Sequence, residues 1–145
     1  MPIYRDTRRA TGYAPTPDDL TILMPIFVGT QRREIEQLVK PSIDQYVSFV
    51  SAASTPWLEK TSSDPERHKL RALLAQLRSL TYEQMNDMMG VFDTPEGCVE
   101  RLQQIQEDFN PGRIICWFNF GGMVPHKRVL HSMELFSAKV LPHLA

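Results

Sequence analysis

The segment Trp117-Phe118-Asn119-Phe120-Gly121-Gly122 is the stretch of this sequence best suited to bind a ligand. It follows an apolar run typical of a buried strand and precedes Pro125, where a helix can begin. In parallel α/β proteins, ligands bind at the carboxyl ends of the strands, which is the position predicted for this segment. Because side chains alternate along a strand, Phe118 and Phe120 are predicted to share one face and Asn119 to occupy the other.

The same segment has two other interpretations. Phe118 and Phe120 can belong to the core, with Gly121 and Gly122 forming a tight turn that needs no ligand. The glycine pair can instead hold a phosphate, because free N–H groups and a helix dipole both favour an anion at the start of a helix. No glycine-rich nucleotide-binding pattern accompanies the pair, so the phosphate interpretation depends on the glycines alone.

The other reactive side chains form no pattern to which a reaction can be assigned. Cys98 and Cys116 lack the spacing of a metal or redox pair and are predicted to be buried, reduced thiols. The histidines have no metal-ligand spacing, so no metal site is predicted. His126 is a candidate acid or base near the ligand segment, although a solvated position in the first turn of a helix is the commoner case. The catalytic residues are therefore unknown from sequence.

Length and composition indicate one ordinary domain rather than a membrane or nucleic-acid-binding protein. The chain has 145 residues, of which 42% are hydrophobic and 23% charged, enough to bury a core. A net charge of −1 gives no basic field for a nucleic acid partner. No apolar run reaches the length of a bilayer and no signal region is evident, so no membrane partner is predicted and the expected location is the cytoplasm.

Helical and strand patterns alternate along the chain, which predicts an α/β fold of parallel strands joined by right-handed crossovers. Strands are predicted at residues 20–28 and from residue 114, where a continuous apolar run begins. Helices are predicted at residues 3–11, 31–50, 64–80, 82–89, 94–109 and 125–141, with a kink or break at Pro41. Residues 51–64 are rich in Ser, Thr, Pro and Ala, which predicts a loop.

Three segments in the last third of the chain carry a resemblance to a known family. They are Val91 to Leu102, Trp117 to Met123 and Val129 to Phe136, followed by the ending Val140-Leu141-Pro142-His143. In composition and spacing, residues 90–145 resemble the C-terminal end of the bacterial luciferase-like flavin-dependent monooxygenases. Residues 20–50 are similar, less specifically, to the preceding βα unit of that family, and residues 51–89 have no match.

The resemblance implies a fold and a cofactor. Members of the family are (β/α)8 barrels that bind reduced flavin and use O2 to oxygenate a small organic substrate. Residues 1–145 would then be a single domain, a helix-rich partial TIM-barrel-like fragment with two parallel strands. Residues 20–28 would be the seventh strand and residues 114–120 the eighth, with residues 51–89 as a loop and helical insertion. The resemblance further implies reduced FMN as cofactor, beside Phe118, Asn119, Phe120, Gly121 and Gly122.

The strands that would precede these two in a barrel have no counterpart in the sequence. Since two strands cannot enclose a water-poor pocket, the site is expected to be incomplete in this chain alone. A second copy of the chain or an N-terminal companion chain is the expected partner, besides flavin and a small-molecule substrate. Two alternatives stay open: a non-catalytic helical interaction or assembly module that keeps the family packing, and a small-ligand-binding α/β domain unrelated to flavins.

Overall fold

The computed structural model describes residues 2–14, 16–59, 65–79 and 81–144, which form a helix-rich α/β structure around a parallel sheet. The strands are β1 (Thr21–Val28), β2 (Val91–Asp93) and β3 (Arg113–Trp117). The helices are α1 (Pro2–Ala10), α2 (Arg32–Glu59), α3 (Pro65–Ser79), α4 (Tyr82–Met89), α5 (Pro95–Phe109) and α6 (His126–Leu135). Short 3-10 turns lie at Pro17–Asp19, Phe120–Gly122 and Leu141–His143, and a π-helical turn at Phe136–Val140 follows α6.

The sheet has the strand order β2-β1-β3, with β1 parallel to both of its neighbours. In the register, Leu23 lies opposite Ile115 of β3, and Ile26 lies opposite Val91 of β2. The predicted parallel pairing between residues 20–28 and the strand that begins near residue 114 is confirmed.

The sequence-based prediction of two strands is wrong because β2 is a third. It contains only Val91, Phe92 and Asp93, which is too short for an apolar periodicity to reveal it. β2 pairs with the edge of β1 that faces away from β3, so the consecutive strands β2 and β3 are not neighbours. Strands that follow one another in a (β/α)8 barrel do lie side by side, and the position of β2 departs from that order.

The two faces of the sheet are covered by different helices. On one face the even-numbered residues of β1 pack against α5 and the end of the chain; the buried members are Met24, Ile26, Val28, Val91, Cys98, Leu102, Ile105 and Val140. On the other face the core is built on α2; its buried members are Phe27, Ile35, Val39, Ile43, Met85, Phe92, Phe120, Val124 and Val129. The crossover from β1 to β2 and the crossover from β2 to β3 run in opposite directions across the sheet. Because right-handed crossovers in opposite directions place their helices on opposite faces, α2 and α5 cover different faces.

Helix α2 continues through two prolines, contrary to the predicted break at Pro41 and the predicted loop at residues 51–64. Val39 and Ile43, on either side of Pro41, are both buried in the core. Packing of this apolar face outweighs the lost hydrogen bond, and the helix runs on to Glu59. Residues 60–64 of the predicted loop lie outside the described residues. None of the helices in the described ranges is both long and apolar enough to cross a membrane.

Helix boundaries predicted from capping residues are confirmed. Helix α5 begins at Pro95, where the Thr94 hydroxyl accepts a hydrogen bond from the Gly97 N–H at 3.5 Å. It ends before Asn110, which adopts a left-handed conformation with φ of 45°. Gly12, predicted to stop the first helix, also has a positive φ, of 83°.

Strand β3 ends early, and a buried serine completes the hydrogen bonding of β1. The last residue of β3, Trp117, lies opposite Pro25, so β3 offers no partner to the N–H of Val28 further along. The Ser132 hydroxyl of α6 accepts that hydrogen bond at 2.7 Å, and both residues are buried. On the other edge, the Gly29 N–H donates to the Asp93 carbonyl. Successive backbone nitrogens of a strand point to opposite edges, so the nitrogen of Pro25 points to the same edge as that of Gly29, where β2 pairs. Because β2 pairs with β1 only from Ile26 onward, the missing N–H of Pro25 costs no hydrogen bond between strands.

We expect Ser132→Ala to destabilise the protein by about 1–3 kcal/mol, because the Val28 N–H would then be buried without an acceptor. The measurement is the free energy of unfolding from urea denaturation. The matched control is Ser48→Ala at an exposed position of α2, where the expected change lies within about 0.5 kcal/mol. Equal stabilities for the two variants would contradict a structural role for the Ser132 hydroxyl.

Candidate functional site

The chain turns sharply after Trp117, so the alternation of side chains predicted for residues 117–122 does not continue. Phe120–Gly122 form a 3-10 turn, with φ of 73° at Gly121 and 78° at Gly122. The ring of Phe118 packs edge-on against Phe136 at 5.4 Å. The ring of Phe120 instead lies 4.4 Å from Tyr46 and 5.1 Å from Trp117. The predicted common face of Phe118 and Phe120 is therefore wrong, because β3 ends before either residue.

A cleft of about 380 Å³ opens at the carboxyl end of β3, between this turn and helix α2. We call it the aromatic cleft; its lining residues are Gln45, Tyr46, Phe49, Trp117, Asn119, Gly121 and Gly122. Its volume falls within the usual range for small-molecule sites, about 300–1,000 Å³. The position agrees with the rule that ligands bind outside the carboxyl ends of parallel strands.

The structure divides the residues predicted for the site into two groups. Asn119, Gly121 and Gly122 line the aromatic cleft. Phe118 and Phe120 do not line it: Phe120 is buried in the core behind it, and Phe118 packs against Phe136. The predicted segment therefore supplies one wall of the cleft and the packing that supports this wall.

The opposite wall of the cleft was not predicted from the sequence; α2 provides it through Gln45, Tyr46 and Phe49. Phe49 lies three residues after Tyr46 on the apolar side of α2, and its side chain is 67% exposed. The apolar stripe of α2, which reaches Phe49 at helical spacing, is the sequence signal that could have indicated this wall.

Backbone contacts fasten the turn to α2. The buried Ser42 hydroxyl accepts a hydrogen bond from the Met123 N–H at 3.1 Å. A methyl group on Gly121 would overlap the Ser42 carbonyl, so only glycine permits this close approach. Around Gly122, by contrast, the space is open.

These contacts also bear on the phosphate interpretation of the glycine pair. The N–H of Gly122 donates to the Asn119 carbonyl at 3.2 Å, and the N–H of Met123 donates to Ser42. Both donors are used within the protein, so these two N–H groups of the turn are not free to bind an anion. His126 is exposed at the start of α6 and does not line the aromatic cleft.

Charged residues near the carboxyl ends of β1 and β2 are paired with one another. Arg32 donates two hydrogen bonds to the Asp93 carboxylate, at 2.8 and 3.1 Å. Arg128 forms an ion pair with Glu34 at 2.8 Å. Within the ranges that the structure describes, no charged side chain lines the aromatic cleft. The cleft is therefore uncharged, and its lining combines three aromatic residues with the carboxamides of Gln45 and Asn119.

The likeness of this chain to known proteins is structural. No protein-family model matches the sequence, and no curated protein matches it. The structure is similar to that of monooxygenase RslO1 from Streptomyces bottropensis, with a TM-score of 0.58 and 21% sequence identity. The match covers 98% of this chain and 36% of that one. At this identity the likeness shows the fold alone: this chain has the fold of a part of that protein.

We expect Gly121→Ala to be much more destabilising than Gly122→Ala, although both glycines have positive φ. The left-handed conformation costs each variant about 1–2 kcal/mol. Gly121→Ala adds the overlap with Ser42, for a further ~1–3 kcal/mol. Thermal and urea denaturation measure the difference. Equal losses in the two variants would show that the turn is not packed against α2 as described.

We expect Cys98 to be nearly inert in the folded protein. Burial raises the pKa of its thiol to about 12, so very little thiolate exists near pH 8. Alkylation by iodoacetamide at pH 8 should be at least about 100-fold slower than in the urea-unfolded chain, and its rate should keep rising above pH 10. Burial also raises the pKa of Cys116, which is half-buried. Rapid alkylation of Cys98 in the folded protein would contradict its burial.

Proposed function

We propose that this chain is the C-terminal part of a flavin-dependent monooxygenase that oxygenates a small organic substrate with reduced flavin and O2. The observation that carries the proposal is the aromatic cleft at the carboxyl end of β3, in a fold shared with part of a protein named a monooxygenase. The sequence resemblance of residues 90–145 to luciferase-like monooxygenases supports it independently. In this proposal residues 1–145 are one domain, and β1 and β3, which are neighbours in the sheet, form part of the wall of a barrel.

The cleft fits one part of a flavin and not another. Its volume, its aromatic walls and the bare backbone of Gly121 and Gly122 suit a flat ring system. A phosphate, however, needs cations or free N–H groups, and the cleft lining in the described ranges contains neither Lys, Arg nor His. The proposed assignment is therefore that this chain holds the ring of reduced FMN and that the phosphate is held elsewhere.

The proposed role of this chain in the reaction is positioning and the exclusion of water. Reduced flavin, when bound, supplies the activation of O2. Tyr46, Phe49 and Trp117 present apolar surface that keeps water away from the ring. The carboxamide of Asn119 can donate and accept hydrogen bonds at a polar ring edge. Phe120, packed between Tyr46 and Trp117, holds the aromatic wall in place.

The proposal requires further protein around this chain. β3 is at the edge of the described sheet, and on the face that α2 partly covers, Leu23 and Ile115 are 56% and 53% exposed. Three strands leave the cleft open to solvent on one side, whereas oxygenation by reduced flavin needs a closed site. An N-terminal companion chain or a second copy would supply the missing walls.

A second candidate function is that of a non-catalytic assembly module. It is favoured by Leu23 and Ile115, which are opposite one another in the register and form an apolar patch on the sheet. The monooxygenase function predicts that the chain binds flavin, and the assembly module predicts that it does not. Both functions predict that the chain associates with another protein chain. Light scattering coupled to size exclusion tests that association, and a stable monomer at all concentrations would argue against the assembly module.

We expect the chain alone to bind FMN weakly, with saturable quenching of flavin fluorescence at high protein concentration, because it supplies ring contacts without a phosphate site. Fluorescence titration measures the affinity, and Trp117→Leu should weaken the quenching through loss of the aromatic wall. A tight one-to-one complex would overturn the proposed division of the flavin site. The absence of quenching at every concentration would favour the assembly module.

A further inference from the structure

We infer that the aromatic cleft recognises an uncharged, flat ring system, and that it discriminates against rings that carry a negatively charged group directly on the ring. The inference rests on the proposed function, because that function places the flavin ring in this cleft and the phosphate at another site. It also extends to aromatic compounds other than flavins, since it concerns the chemistry of the cleft walls.

The walls of the cleft present aromatic surface that other protein groups hold in position. Trp117 packs edge-on against Tyr46 at 5.9 Å and against Phe120 at 5.1 Å, with interplanar angles of 86° in both cases. Despite these contacts the side chain of Trp117 is still 36% exposed, and that of Phe49 is 67% exposed. Burying such surface under a flat ring is favourable, and the fixed rings lose little conformational freedom on binding.

The polar groups of the cleft are neutral. Gln45 and Asn119 each carry a carboxamide, which offers both donors and an acceptor. Neither carboxamide hydrogen-bonds to another group within the described residues. Both are therefore available to the carbonyl, N–H or hydroxyl groups at the edge of a neutral ring.

An anion would find no cation among the described residues that line this cleft. The nearest cation in the sequence of α2, Lys40, lies 3.8 Å from Asp44 and does not line the cleft. The N–H groups of Gly122 and Met123 already donate within the protein. A charged group that left water for this site would lose hydration without finding a counter-charge, which disfavours anionic ligands.

The test compares pairs of probes that share a ring and differ in charge, using the whole chain. The first pair is 1-naphthol, neutral at pH 7, and naphthalene-1-sulfonate; the second is lumiflavin, which lacks a phosphate, and FMN. Calorimetric titration should give one-to-one binding of naphthol, with the sulfonate about 10-fold weaker. Lumiflavin and FMN should bind within about 3-fold of one another, since the phosphate makes no contact.

Two variants and their matched controls locate the binding. Phe49→Ala should weaken naphthol binding by about 5- to 10-fold, while Met88→Ala, at a 58% exposed position of α4, should leave it unchanged. Gln45→Lys introduces a cation into the cleft and should remove the discrimination against the sulfonate. Gln104→Lys makes the same charge change at an exposed position of α5 and should not.

The outcomes separate this inference from the flavin proposal. Binding of naphthol without binding of either flavin supports the neutral ring site and defeats the proposed flavin function. Much tighter binding of FMN than of lumiflavin overturns the inference and leaves the flavin function standing. Failure of all four probes to bind, or equal affinities for naphthol and the sulfonate, also overturns it.

Discussion

The backbone hydrogen bonding of β1 is the constraint on which the rest of the described structure depends. From Met24 to Val28 this strand is buried on both faces, so each of its N–H and carbonyl groups needs a partner inside the protein. β3 pairs with one edge of β1 as far as Pro25, and β2 pairs with the other edge from Ile26 onward. Beyond the last residue of β3 a side chain has to take over, and Ser132 does so.

The early end of β3 is also what creates the cleft. If β3 continued beside β1, Phe118 and Phe120 would follow Ile114 and Cys116 onto the face of the sheet that α5 covers. Instead the chain leaves the sheet after Trp117 and turns back against α2, where Ser42 accepts the Met123 N–H and Gly121 fits closely. Two wholly buried serines thus hold separate parts of the backbone: Ser42 holds the turn beside the cleft, and Ser132 holds the end of β1.

Local patterns in the sequence predicted most of the helices and two of the strands. Contacts between residues far apart in the sequence determine the shape of the candidate site. Helix starts at Pro65 and Pro95 carry their own capping and proline signals, so they could be predicted from a few residues. The three-residue strand β2 and the passage of α2 through Pro41 could not, because both depend on packing against β1. Asn119 and the two glycines could be assigned to the site from their place after a strand. Phe49 could not be assigned to the site, because it belongs to α2, which is far from the glycines in sequence. Only the packing of the turn against α2 brings the two together.

The distribution of charged side chains limits which ligands the aromatic cleft can bind. Near the carboxyl ends of β1 and β2, Arg32 and Arg128 are engaged by Asp93 and Glu34, and the cleft at the end of β3 is lined by neutral groups. A phosphorylated cofactor would need a cation that the described cleft does not offer, whereas a flat ring finds aromatic surface and two carboxamides. This chain matches only 36% of the length of the monooxygenase whose fold it shares. In the function proposed above, this chain therefore contacts the ring of the ligand, and the charged end of the ligand is bound by other protein.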